Sequence, residues 1–289
     1  MKLLLVTILP LLLLACIKKS DKKKGSMRDK AFLLITFMLS SFFTSAQEKT
    51  GAGAQELADK LSNPVASLIS VPFQSNVDYG IGSHHGSKYT LNFQPVIPIS
   101  LSPKLNLITR YIIPIVDQHD VSGEGEDQFG LSDATISGFF SPAASKNGLI
   151  WGAGPAFLVP TGTNDLLSTR KWGVGPTVLV LKQATGLTFG FLVNQIWSFA
   201  GDENRTDVNQ MFLQPFFAKS WKSGGGVSIN SEITFNWKTN STTAFINPLV
   251  TGITKLGKQA VSLGVGPRIP LGKPAAFGFR GVLTLVFPK

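Results

Sequence analysis

Few residues in this 289-residue chain could do covalent or metal chemistry: three histidines, one cysteine and a scatter of carboxylates. His84, His85 and His119 all fall in stretches that read as loops. A serine nucleophile on a strand needs a histidine facing it within hydrogen-bond reach, and this spacing supplies none. No His-Glu-x-x-His run and no cysteine cluster offers a metal site. Asp117 and Asp120 stand close to His119, but solvated loop residues are the simpler reading of that group. The acidic run Glu124, Glu126, Asp127 lacks the spacing of a calcium loop. The expectation is therefore no catalytic residue, no resident metal and no cofactor. Gly-x-Gly-Pro recurs at Gly152 to Pro155, Gly173 to Pro176 and Gly264 to Pro267. It precedes no helix, so a phosphate loop is excluded and glycine that relieves strand crowding is expected.

The polar residues that alternate with apolar neighbours are better candidates for function. Asn92, Gln94, Arg110, Asp133, Asn194, Gln214, Asn230, Glu232 and Arg280 each stand opposite apolar positions. Two readings of this set stay open. They line a solute path with hydrogen-bonding groups and opposite charges, or they form an ion-pair network that plugs a narrow interior. Such residues need a wall that turns one face to the inside and an apolar face to the outside. Facing lipid, an arginine near the midplane would cost about 2–4 kcal/mol, so Arg110 and Arg280 are expected to point inward.

The composition suits a wall of that kind. The chain is 43% hydrophobic and 15% charged, with a mean hydropathy of +0.18. Beyond Ala46 no stretch approaches the roughly 20 apolar residues of a spanning helix. The net charge of +10 is concentrated at the start. Residues 1–46 hold eight Lys/Arg and two Asp/Glu, which leaves a net +4 for the remainder. That excess is too small to argue for a nucleic-acid partner.

Residues 1–46 read as two export signals in series. The first runs from Lys2 through an apolar stretch to Leu13-Leu14-Ala15-Cys16, which resembles a lipobox, and a lysine-rich gap follows. The second starts at Met27 with Arg28 and Lys30, continues apolar from Ala31 to Phe43, and ends at Thr44-Ser45-Ala46. Residues 27–46 are taken as the signal peptide, cleaved after Ala46. Residues 1–26 are a lipoprotein-like or non-native leader. Residues 47–63 form a polar N-terminal segment with a short helix predicted over Gln55 to Leu61. Residues 64–289 form one β domain.

Within that domain turn residues punctuate twelve stretches: 66–79, 88–100, 104–116, 128–141, 148–160, 171–183, 186–200, 207–221, 226–238, 244–256, 258–270 and 275–288. Each is about 12 residues, longer than a strand of an ordinary β domain and suited to a tilted bilayer crossing. Val227, Ile229, Ile233, Phe235 and Trp237 share one face of the ninth, with Ser228, Asn230, Glu232, Thr234 and Asn236 on the other. A β-sandwich would show the same alternation; the connections separate the two. Turns at 101–103, 142–147, 184–185, 222–225 and 257 are mostly shorter than the loops at 80–87, 117–128, 161–170, 201–206 and 239–243. That asymmetry and an even strand number predict an all-β, antiparallel up-and-down transmembrane barrel of about twelve strands. Pro114, Pro176, Pro248 and Pro267 fall in its long-loop half. Each lacks a ladder donor, so they are candidates for bulges or for a lateral gate in the wall.

Six runs resemble a known family: Leu61 to Gln74, Gly130-Leu131-Ser132-Asp133, Trp151 to Pro155, Lys171 to Pro176, Asn209 to Phe216 and Leu283 to Lys289. Together they are similar to the MetA-pathway of phenol degradation family of outer-membrane proteins. The resemblance implies a bacterial outer-membrane barrel associated with uptake of small hydrophobic or aromatic solutes, and brings no catalytic residues with it. The partners to expect are outer-membrane lipid and lipopolysaccharide, the barrel-assembly machinery during biogenesis, and the solute, with the barrel a monomer. A plugged structural or interaction barrel is the alternative, and an outer-membrane hydrolase a more distant one.

Overall fold

The computed structural model describes residues 52–66, 68–257, 259–272 and 277–287. The two export signals and Cys16 lie outside the described residues. Helix α1 spans Ala52–Leu61, three residues longer at its start than the sequence predicts. Good helix formers fill it, and a Glu56–Lys60 ion pair of 2.8 Å joins successive turns. Pro64 prevents its continuation, and the Asn63 side chain caps the exit by accepting the Val65 N–H at 3.0 Å.

Fourteen antiparallel strands follow: β1 Ile69–Ile81, β2 Gly86–Phe93, β3 Val96–Ser102, β4 Leu105–His119, β5 Asp127–Leu131, β6 Ala134–Pro142, β7 Leu149–Val159, β8 Lys171–Ala184, β9 Leu187–Gly201, β10 Asn209–Ser220, β11 Gly225–Asn236, β12 Ser241–Leu256, β13 Gln259–Leu271 and β14 Phe277–Phe287. They make twelve passes of a closed barrel. The first pass pairs with the last from Ile69↔Phe287 to Tyr79↔Phe277, so no edge is left unpaired in the wall.

Two predicted spans are each broken in two. Between β2 and β3 the register is unchanged, but Gln94 and Pro95 drop out of the ladder opposite Pro72 and Val71. With both prolines lacking a donor, only Gln94 N–H to Pro72 O at 2.9 Å spans the gap. Between β5 and β6 the register shifts by one: Ile112↔Thr135 and Ile115↔Leu131 leave Ile113 and Pro114 facing Ser132, Asp133 and Ala134. This is a β-bulge, and Pro114 sits on the strand opposite it.

The outer face is apolar. All five tryptophans, Trp151, Trp172, Trp197, Trp221 and Trp237, point outward and are 46–53% exposed. Trp172, Trp197 and Trp237 lie towards the long-loop end, Trp151 and Trp221 at the short-turn end. Between these levels stand Phe157, Phe191, Ile229, Val265 and Phe279. An apolar band with aromatic residues at both rims is what a bilayer selects for.

The Gly-x-Gly-Pro repeat has a steric meaning. A Cβ on Gly154 would lie 2.0 Å from Gly138 O, one on Gly175 1.8 Å from Gln195 O, and one on Gly266 1.9 Å from Pro248 O. The adjoining prolines offer no N–H to these carbonyls, and each ladder skips pairs there without changing register. The strands instead close in until the carbonyl oxygen meets the glycine Cα, the geometry of a Cα–H···O contact.

Candidate functional site

The interior has three regions. At the short-turn end it is filled by apolar side chains. Ile108, Phe139, Leu179, Leu181 and Leu192 form a buried cluster inside the wall, joined by Val96 and by Val65 from the N-terminal segment. Helix α1 is fastened beneath them through Asp59. Its carboxylate accepts the Gly186 N–H at 3.0 Å and the Ser220 hydroxyl, and its carbonyl accepts from Gln183 Nε2 at 2.6 Å. The segment after α1 therefore occupies the short-turn half of the lumen.

The second region is an ionic wall on β1, β11, β12, β13 and β14. Glu232 accepts from Arg280 Nη1 and Nη2, both at 2.8 Å, and from Arg268 Nη1 at 2.7 Å. Arg268 Nε also donates to Asp78 at 3.0 Å, and its guanidinium carbon lies 3.5 Å above the Phe245 ring. Arg280, 1% exposed, donates through Nε to Asn76 Oδ1 at 2.7 Å. Asn247 donates to Asn230 at 2.9 Å and accepts from Arg268 at 3.2 Å. Each charge of this wall thus meets an opposite charge, and the two arginines donate further to Asn76, Asn230 and Asn247, as burial of charge requires.

The third region is open space. A cavity of about 640 Å³ reaches from the long-loop end, past Lys88 and Asp78, down to Gln94, Arg110 and Gln214. A smaller one of about 160 Å³ lies between that layer and residues 60–72. Gln94, Arg110 and Gln214 line both, and Arg110 Nη2 donates to Gln94 Oε1 at 3.0 Å.

Of the predicted interior residues, Asn92, Gln94, Arg110, Gln214 and Glu232 line the larger cavity. Asn230 and Arg280 belong to the ionic wall. Asn194 stands opposite Phe212, a cavity-lining residue, and Thr177, which is buried. Asp133 is elsewhere. It sits at the bulge and accepts from Ser168 Oγ, Thr169 N and Thr169 Oγ1 at 2.6 Å each and from Gly162 N at 3.2 Å. It thereby holds the 160–170 loop, and Thr161 and Thr163 from that loop take up backbone groups that the bulge leaves unpaired. Arg205 adds bonds to Asp165 O at 2.6 Å and to Ser168 O. In the adjacent 202–208 loop, a hydrogen bond from Lys171 holds the Asp207 carboxyl below the usual carboxylate range. Replacing Asp133 with Ala strands four donors, so tryptic cleavage after Arg170 is expected to rise by about ten-fold or more. Cleavage at the wild-type rate would remove the clasp role.

The prolines divide likewise. Pro176 lies in a ladder gap of β8 and β9, yet pairs with Pro155 on its other side. Pro248 and Pro267 lie in a gap of β12 and β13 that is spanned on the inside by the Arg268–Asn247 hydrogen bond.

Arg268, Asp78, Asn76, Lys88 and Asn247 were missed from sequence. For Asn76 and Asp78 the signal is plain alternation in β1, with Val77 and Tyr79 between and beyond them. Arg268 shows the same alternation, with Leu263, Val265, Pro267 and Ile269 on the opposite face of β13.

No family model matches the chain, and no curated protein matches it. Among solved structures it is similar to an outer-membrane channel from Pseudomonas putida F1, with a TM-score of 0.60 and 16% identity, over 78% of this chain and 97% of that one. The transport unit of the autotransporter AIDA-I from Escherichia coli matches over 81% and 96% of the two chains at 12% identity, and its TM-score of 0.40 is too low to argue from. The protein is a transmembrane β-barrel. More narrowly, it has the fold of an outer-membrane channel.

Proposed function

We propose that this barrel resides in the bacterial outer membrane and passes small hydrophobic or aromatic solutes by passive diffusion, as a member of the MetA-pathway of phenol degradation family. The observation that carries the reading is the pair of cavities that lie on either side of Gln94, Arg110 and Gln214, with apolar Ile112 and Phe212 beside polar groups on the larger one. A pocket of several hundred Å³ with mixed lining suits a small organic solute. No catalytic role is part of this reading.

The alternative is a plugged barrel without transport, and the Asp59 fastening together with Val65 in the apolar cluster favours it. The ladder gap at Pro248 and Pro267 offers no sideways exit, because the strands close in there until Pro248 O meets the Gly266 Cα. Conductance of the refolded barrel in a planar bilayer tests the choice. Ohmic steps partly blocked by phenol are expected, with larger steps in Asp59→Ala, where α1 loses two side-chain bonds. Silence from folded wild type and from Asp59→Ala alike would leave the plugged reading standing.

A further inference from the structure

We propose that Arg110 is a binding site for the carboxylate of a small organic acid with an apolar body. The inference rests on the transport reading for its purpose, since it names the solute class held at the layer between the two cavities.

Arg110, Arg268 and Lys88 line the larger cavity against only Asp78 and Glu232, and Arg280 lies in the wall behind. Both carboxylates are already engaged. Glu232 is shared by Arg268 and Arg280, and Asp78 is held by Arg268. Among the described residues, no carboxylate lies within 4.0 Å of Arg110 or of Lys88. The floor of the cavity thus keeps a cation with no carboxylate in direct contact.

Geometry separates the two cations. In the β4 register Lys88 stands opposite Gln118 and Arg110 opposite Val96, eight residues apart. At strand rise that is roughly 26 Å, so they cannot hold one small anion together. Lys88 lies near the mouth and acts as an attracting charge. Arg110 lies at the floor and has spent one donor on the neutral Gln94 oxygen. No fully buried side-chain nitrogen or oxygen among the described residues lacks a partner. The remaining N–H groups of the guanidinium therefore face the cavity space. A planar fork of donors fits a carboxylate in two parallel hydrogen bonds, and in a narrow interior such bonds are strong. Ile112, two residues along the same face of β4, and Phe212 supply apolar surface for the body of the acid.

The test uses the detergent-solubilised barrel, so that it does not depend on conduction. Titration calorimetry compares benzoate with benzamide, the neutral molecule of the same shape, and with acetate, which lacks the ring. Wild type is expected to bind benzoate about ten-fold or more tighter than benzamide, and tighter than acetate. Arg110→Gln is expected to bring the benzoate-to-benzamide ratio within about two-fold, while Lys88→Gln keeps most of it. If Arg110→Gln does not fold, Arg110→Lys keeps the charge, loses the fork and is expected to weaken benzoate by about three-fold. Equal affinity for benzoate and benzamide in wild type would overturn the proposal, as would a preference that survives Arg110→Gln. Acetate binding as tightly as benzoate would overturn the claim of an apolar body. Benzoate bound by a barrel that is silent in the bilayer would sink the transport reading and leave this site standing. Phenol-blocked current without a benzoate preference would do the reverse.

Discussion

Gly175→Ala is expected to leave most of the protein unable to reach the folded barrel. The added Cβ would lie 1.8 Å from Gln195 O and 2.8 Å from Gln195 C, both backbone atoms that no rotamer change can move. Strands β8 and β9 would have to part at a place where Gly175 and Pro176 already lack ladder pairs with β9. Overpacking usually costs 1–3 kcal/mol, and a clash with backbone belongs at about 3 kcal/mol or above. Gly281, with nothing within 4 Å of its Cβ position, is the internal control. Its alanine variant keeps the change of residue and removes the clash. Folded fraction after refolding into detergent, read from the heat-modifiable shift in gel mobility, separates the two. Equal folding of Gly175→Ala and Gly281→Ala would show that the close approach is not required. The same test extends to Gly154 and Gly266, so the repeat predicts three sensitive positions on one rule.

Removing the charge of Glu232 should be the most costly change inside the lumen. Glu232→Gln leaves Arg268 with Asp78, but Arg280 keeps only Asn76 at 2.7 Å and Asn230 at 3.5 Å. A guanidinium that is 1% exposed would then have no carboxylate partner. Breaking a buried pair from one side costs about 3–5 kcal/mol, because the remaining charge stays desolvated. The guanidinium chloride midpoint of the solubilised barrel is expected to fall accordingly. Adding Arg280→Met to the Glu232→Gln protein should recover a large part of the loss, since the stranded charge is removed. An unfolding free energy within roughly 0.5 kcal/mol of wild type for the single variant would mean that water reaches Arg280 and that the wall is not dry.

The wall of this protein was legible in its sequence because wall formation is a local matter. Period-two alternation in 226–238 placed Asn230 and Glu232 inside and Val227 and Ile229 outside, where the structure has them. Loop lengths fixed the two ends, and even spacing gave the twelve passes. Proline in the spans announced broken ladders, although alternation could not say that Pro72 and Pro95 would fall at adjacent positions of one gap between neighbouring strands. The glycines of the repeat were read as relief from crowding, and the structure names the three carbonyls that crowd them.

What fills the barrel was decided only by tertiary structure. Closure brings together residues distant in the chain: Asn76 with Arg280, Asp78 with Arg268, and Glu232 with both arginines. Nothing in the spacing of one strand says which charge across the lumen it will meet, because that depends on strand tilt and register around the whole circuit. Asp133 shows the limit well. Its alternation resembles that of an interior residue, but a one-residue bulge re-aims it to clasp a loop 30 or so positions away. The apolar floor had a faint local trace in β8, where Val178 to Leu181 is apolar on both faces. That Val65 would complete it from the N-terminal segment required the fold, since an inward apolar face gains free energy only from a partner that closure brings within reach.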